Sequence, residues 1–131
     1  MLVRMFTAPL IMLVIASGAH AADPGDAAAG KTYFSQTCMQ CHSADPAEGG
    51  GEIGPSLIGV LGRTAGVGDP RFVYSPALKD SKLVWNAETL DRFLTDPAVA
   101  VPGTTMPIPV PVKKDRDNLI AYFQSLVSGA K

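Results

Sequence analysis

Cys38-Met39-Gln40-Cys41-His42 sets two thiols three residues apart and an imidazole directly behind the second. This is the C-x-x-C-H pattern of covalent haem c attachment. On one helical turn both sulfurs can add to the two vinyl groups along one edge of a haem, and the residue that follows then lies under the porphyrin. Cys38 and Cys41 would carry the thioether bonds, and His42 would reach the iron as an axial ligand fixed by them.

Other chemistries also use C-x-x-C. Zinc takes four ligands, usually from a second Cys/His pair. The chain has no third cysteine, and its other histidine, His20, falls in a segment expected to be removed. A thioredoxin-like redox pair needs a strand leading into it, but Asp26-Ala27-Ala28-Ala29-Gly30-Lys31-Thr32-Tyr33-Phe34 reads as helix. A structural disulfide across so short a loop would restrict the unfolded chain little. Haem attachment is the reading that uses all three side chains.

Upstream, the N-terminus has the parts of a secretory signal: Arg4, an apolar run from Ala8 to Ala16, and the A-x-A pattern Ala19-His20-Ala21. The run is well short of the roughly 20 residues that span a bilayer. Residues 1–21 are therefore expected to be cleaved, leaving 22–131 as one soluble exported domain without a membrane span. The whole chain of 131 residues has a formal net charge of −1, and losing Arg4 makes it one unit more negative. Such balance argues against a nucleic-acid partner, which would call for a basic patch. A domain of this size, rich in Gly and Pro, has little core of its own; a buried macrocycle would supply an apolar centre.

Along the remainder, Asp26 can cap a helix running through Gly30 and Phe34 into the cysteine motif. Gly30 and Phe34 are four apart and share a face. Ser43 to Pro55, with Gly49-Gly50-Gly51, is a loop. Ser75-Pro76 pairs an N-cap with proline at the first helical position, starting a short helix Ala77 to Asp80. Asn86 can cap a longer one, Ala87 to Thr95, that turns Leu90, Phe93 and Leu94 to one side, and Pro97 and the residue before it end it. Pro97, Pro102, Pro107, Pro109 and Pro111 forbid a regular helix over 99–112. Asp115 to Ser128 is amphipathic, with Leu119, Tyr122, Phe123 and Leu126 at helical spacing. No convincing alternating strand occurs. The expected fold is all-α, three to five helices and loops wrapped around one covalently bound haem.

An iron with one protein ligand binds gases or peroxide; with two it mostly moves electrons. Met39 lies on the side of the ring that His42 already occupies. After cleavage the one other methionine is Met106, in the loop Val101-Pro102-Gly103-Thr104-Thr105-Met106-Pro107. Ordinary core packing is the bland role for a methionine, but a flexible side chain among prolines suits ligation better than gap filling. A thioether is a soft, neutral ligand that favours ferrous iron and raises the potential relative to a second histidine.

These residues, with Gly30-Lys31, Phe34, Gly54-Pro55-Ser56-Leu57, Gly62-Arg63, Trp85, Pro102-Gly103-Thr104-Thr105-Met106 and Leu119-Ile120-Ala121-Tyr122, follow the order and spacing of a known family. Over nearly all of the expected mature chain the sequence resembles class I cytochromes c, closest to the mitochondrial and periplasmic c2-like branch. The resemblance implies that the Pro55 carbonyl accepts the second ring N–H of His42. It also implies that Arg63, Tyr74 and Trp85 donate hydrogen bonds to a buried haem propionate, and that Gly30 and Phe34 pack against Leu119 and Tyr122. On spacing alone Pro55 could be a loop proline and Trp85 a core residue.

The resemblance further implies a monomeric periplasmic one-electron carrier and not an enzyme. A membrane reductase or dehydrogenase would be its donor, and an oxidase or reaction centre its acceptor. Two alternatives share the haem: an electron-accepting subunit of an exported dehydrogenase, and a peroxidase-like or ligand-binding protein with a labile Met106. The sequence departs from the family at three places. Phe93 stands where many relatives have tyrosine, Thr105 stands where mitochondrial members have lysine, and Pro107-Ile108-Pro109-Val110-Pro111-Val112 is unusually proline-rich. Lysines around the haem edge are thinned, with Lys31, Lys113 and Lys114 remaining, so electrostatic steering is expected to be weaker. Ile108, Val110 and Val112 are candidates for an apolar docking surface or for buried loop residues.

Overall fold

Asp26 starts the first helix by its own carboxylate, which accepts the backbone N–H groups of Ala28 and Ala29. In the computed structural model, which describes residues 24–45 and 53–128, this helix is α1 (Ala27–Tyr33). The backbone then widens into a π turn, Phe34–Cys38, with the Met39 N–H donating to the Phe34 carbonyl at 3.0 Å. The N–H groups of Cys41 and His42 both point to the Cys38 carbonyl, at 3.1 and 2.9 Å, so the cysteine motif closes the helix in a tight turn. The expected signal segment 1–21 and the Gly49-Gly50-Gly51 turn lie outside the described residues.

Four further helices follow. α2 (Pro76–Asp80) starts from Ser75, whose hydroxyl accepts the Leu78 N–H. α3 (Ala87–Thr95) has the boundaries expected from sequence: Asn86 accepts the Thr89 N–H, and the Thr89 hydroxyl returns the favour to the Asn86 N–H at 2.9 Å. α4 (Pro97–Ala100) is a single turn that the sequence did not suggest. Proline lacks an N–H that the first turn of a helix does not use, and Asp96 accepts from Ala98 and Val99. So the first two residues of the segment read as irregular, 99–112, belong to a helical turn, and the remainder is indeed non-helical. α5 (Lys113–Ser128) begins two residues earlier than expected, where Lys113 pairs with Asp117 one turn on. Among the described residues the only extended pairing is an isolated antiparallel bridge between Thr64 and Val84. The fold is all-α, as expected.

α1 and α5 cross at Gly30. A β-carbon there would stand 2.0 Å from the Asn118 carbonyl oxygen and 2.9 Å from Tyr122 Cβ, so only glycine allows this approach. The Asn118 side chain also accepts the Asp26 N–H at 2.8 Å, tying the start of α1 to α5. Beyond the crossing, the Phe34 ring centre lies 5.6 Å from that of Tyr122 and 5.9 Å from Phe123, the latter edge-on. Phe34 and Leu119 are fully buried, each such side chain contributing about 1.5–3 kcal/mol. This crossing fixes the position of the cysteine motif at the end of α1 relative to α3 and α5.

Candidate functional site

The eight residues expected to form the site, Cys38, Cys41, His42, Pro55, Arg63, Tyr74, Trp85 and Met106, all line one cleft. Its remaining walls are mainly apolar, with Leu57, Val60, Leu78, Leu90, Phe93, Leu94, Val110, Leu119 and Phe123 drawn from the loops, α2, α3 and α5. Met39 is exposed and does not line it.

His42 is held by the chain that passes beneath it. Its Nδ1 lies 2.8 Å from the Pro55 carbonyl oxygen. A carbonyl only accepts, so Nδ1 carries the proton and Nε2 keeps its lone pair. Burial pushes the imidazole below its usual range, against the smaller opposing effect of the Pro55 bond, so the ring is neutral at pH 7 and able to ligate. The Leu57 N–H donates to the Ser43 carbonyl at 2.8 Å, a second tie between the two segments. Gly54 makes the approach possible: a β-carbon on it would lie 2.7 Å from His42 Cε1 and 2.9 Å from the Cys41 carbonyl oxygen.

Cys38 and Cys41 are not joined to each other, and both are partly buried. Burial, with Cys41 nearby as the lesser cause, pushes the Cys38 thiol up to about 11. Among the described residues no group of three or more His, Cys, Asp or Glu side chains could hold a metal ion.

Met106 follows a turn in which the Thr104 N–H returns to the Val101 carbonyl at 3.0 Å. Gly103 makes that turn possible at φ +89°, a region that L side chains rarely adopt. The proline-rich strap after Met106 is pinned twice. The Val110 N–H donates to the Leu94 carbonyl at 2.7 Å, and Arg116 Nη1 donates to the carbonyls of Val110 and Pro111 at 2.8 and 3.0 Å. Val110 is accordingly core, while Ile108 and Val112 stay about half exposed; of the three apolar docking candidates Val110 drops out. Lys113 is paired with Asp117 and lies 3.8 Å from Asp91.

Arg63 directs Nη1 to the Ile58 carbonyl at 3.2 Å and Nη2 to the Ser56 carbonyl at 3.0 Å. Its Nε is buried without a partner. The Tyr74 hydroxyl oxygen accepts the Asp69 N–H at 3.1 Å, leaving its own proton to donate. Trp85 is buried with its ring centre 5.0 Å from that of Phe93. One buried acid was missed in the sequence: Asp69, at 4% exposure, accepts the Ser56 N–H at 2.9 Å and the Arg71 N–H at 3.0 Å. In Gly68-Asp69-Pro70 it looks like any polar turn residue, and no local signal marks it as buried.

An apolar cleft with two thiols on one helical turn, a neutral imidazole with a free Nε2 and a thioether from a separate loop suits a large flat tetrapyrrole. The cytochrome c family model matches residues 27–127. The chain belongs to the cytochrome c family. Cytochrome c of Euglena viridis is 44% identical over 103 residues, which is 78% of this chain and 98% of that protein. Cytochrome c2 of Rhodopila globiformis is 39% identical over 106 residues, 80% and 97% of the two chains. The solved structure of cytochrome cH from Methylobacterium extorquens superposes with a TM-score of 0.70 at 42% identity, covering 77% of this chain and 99% of that one. As a member of the cytochrome c family the chain binds covalently attached haem c and carries electrons to and from redox partners. Among the described residues no helix is long and apolar enough to cross a membrane.

Proposed function

We propose that the protein is a periplasmic one-electron carrier whose haem iron is held between His42 Nε2 and Met106 Sδ. The observation that carries this reading is that Cys38, Cys41, His42 and Met106 line a single apolar cleft. Bound there, the haem supplies a reversible ferric/ferrous couple. Cys38, at the end of the π segment, and Cys41, in the turn after it, would hold the group through thioether bonds to its vinyl carbons. His42 arrives as the correct tautomer because Pro55 holds Nδ1–H; such a partner orients an imidazole and raises its basicity. Met106, presented by its loop, would supply a neutral thioether that favours the ferrous form. Tyr74, Trp85 and Arg63 stand at the cleft with donors for the propionates, Tyr74 and Trp85 through side-chain groups not spent on backbone carbonyls. The apolar walls would exclude water, so that little solvent has to reorient when the charge changes by one electron. With His42 and Met106 both serving as ligands, the site would offer substrate no open position, which suits transfer of an electron better than turnover.

Export follows from the signal-like residues 1–21, with the mature monomer starting at Ala22. Its donor would be a membrane reductase or dehydrogenase and its acceptor an oxidase or reaction centre. Redox titration of wild type and Met106→Ala, followed by absorption spectra, tests the ligand set. Met106→Ala lowers the potential markedly and lets the ferrous iron bind carbon monoxide rapidly at neutral pH. An unchanged spectrum and potential in that variant overturns Met106 as the ligand.

A further inference from the structure

The buried acid Asp69 has no part in the scheme above, yet it is one peptide group away from His42. The Pro55 carbonyl, which accepts His42 Nδ1–H at 2.8 Å, and the Ser56 N–H, which donates to Asp69 Oδ2 at 2.9 Å, belong to the same amide. The two hydrogen bonds therefore form one line: imidazole N–H, amide C=O, amide N–H, carboxylate. Amide resonance couples its two ends. A bond at the N–H polarises the carbonyl and strengthens the bond it accepts, most of all when the acceptor at the far end is ionised and the surroundings are poorly solvated.

Hydrogen bonds on both oxygens and on the backbone N–H of Asp69 fix this alignment. Its side chain is 3% exposed. Oδ1 accepts the Arg71 N–H at 3.0 Å, which leaves Oδ2 directed at Ser56, and its own N–H is held by the Tyr74 hydroxyl. The neighbouring carbonyl of Ser56 is held by Arg63 Nη2 at 3.0 Å, so the amide is clamped by an acid on its N–H and a guanidinium on the following C=O. Arg71 Nε stands 3.7 Å from Oδ1 and is itself largely exposed, a weak, screened interaction on the oxygen that does not bond Ser56.

We propose that Asp69 is a positioning residue that tunes the haem iron through the Pro55–Ser56 amide, by making the Pro55 carbonyl a stronger acceptor for His42. A stronger bond at Nδ1 leaves more electron density on Nε2. The imidazole becomes a better donor to ferric iron, and the potential falls below what Pro55 alone would set. The inference rests on His42 as the ligand, the reading proposed above.

The experiment is proton NMR of the ferrous holoprotein, wild type and Asp69→Asn, with a redox titration of each. The expected result is an upfield move of the His42 Nδ1–H resonance in Asp69→Asn together with a higher potential. A His42 Nδ1–H at its wild-type position overturns the relay even if the potential moves, because a charge acting through space shifts the potential alone. Ligation is read separately: ring protons of an iron-bound His42 are displaced far upfield by the porphyrin ring current, and their absence sinks the ligand reading instead. Should Asp69→Asn fail to fold with haem, the wild-type protein decides. A Ser56 amide proton that is far downfield and slow to exchange supports the relay, and an ordinary, fast-exchanging one overturns it.

Discussion

Gly54 lies so close to His42 that a β-carbon on it would stand 2.8 Å from the ring's Nδ1, the atom bonded to Pro55. The contact is with a side chain that cannot yield without giving up that bond, and with the Cys41 backbone on the other side. Gly54→Ala therefore costs about 1–3 kcal/mol, the usual range for overpacking a close contact. The haem protein is expected to show a lower denaturation midpoint and a changed potential in the same variant. A wild-type midpoint in guanidinium would show that the loop has room to move.

Gly30 invites the opposite expectation from its position in a helix. Alanine there gains about 1 kcal/mol of helix propensity, but its β-carbon would meet the Asn118 carbonyl at 2.0 Å. Backbone does not give way as a flexible side chain does. The clash wins, and Gly30→Ala loses about 1–3 kcal/mol net, measurable by chemical denaturation. A stabilised variant would mean that α1 and α5 can slide apart at little cost.

What sequence could and could not reveal divides along the range of the interactions. α3 was legible to the residue because Asn86 and Thr89 form its start between themselves, and α2 to within one residue through Ser75. The early start of α5 at Lys113 and the one-turn α4 depend on contacts just outside the apolar pattern, an ion pair and a capping aspartate. The π turn before Met39 leaves no mark in the spacing of apolar residues. Cys38, Cys41 and His42 stand out in the sequence because haem attachment demands particular atoms at fixed separations, whereas Pro55, Arg63, Tyr74 and Trp85 are marked only by resemblance to the family; all seven line one cleft with Met106. Asp69 was not, since its burial is decided by Ser56, Tyr74 and Arg71 closing around it.

The strap that carries Met106 depends on Arg116. This side chain is 7% exposed, and it donates through Nε to Asp91 at 2.8 Å and through Nη1 to two strap carbonyls. Arg116→Leu keeps the apolar stem but strands those acceptors, for a loss of about 1–3 kcal/mol. With Met106 as the ligand proposed above, the loss should fall on the methionine side of the iron first: on warming, the spectral signature of that ligation disappears below the temperature of global unfolding, whereas in wild type the two nearly coincide. Equal separation of the two transitions in both proteins would remove Arg116 from that role.

Alkaline pH should weaken the α1–α5 contact through Tyr122. Burial, and secondarily Asp45, pushes its phenol above the ordinary value of 10.0. A group with a raised folded value gives its full contribution below the unfolded value and loses it as pH rises through the folded one. Stability is thus expected to fall as pH rises past about 10, and less steeply in Tyr122→Phe. Identical slopes for the two proteins would assign the alkaline loss to other groups, Tyr33 and Tyr74 being raised as well.

The central claim, one iron between His42 and Met106, is tested most directly by the absorption spectrum of the purified ferric protein at neutral pH. A low-spin spectrum with the weak methionine-to-iron band at the red edge is the predicted result. A high-spin spectrum lacking that band would contradict the account.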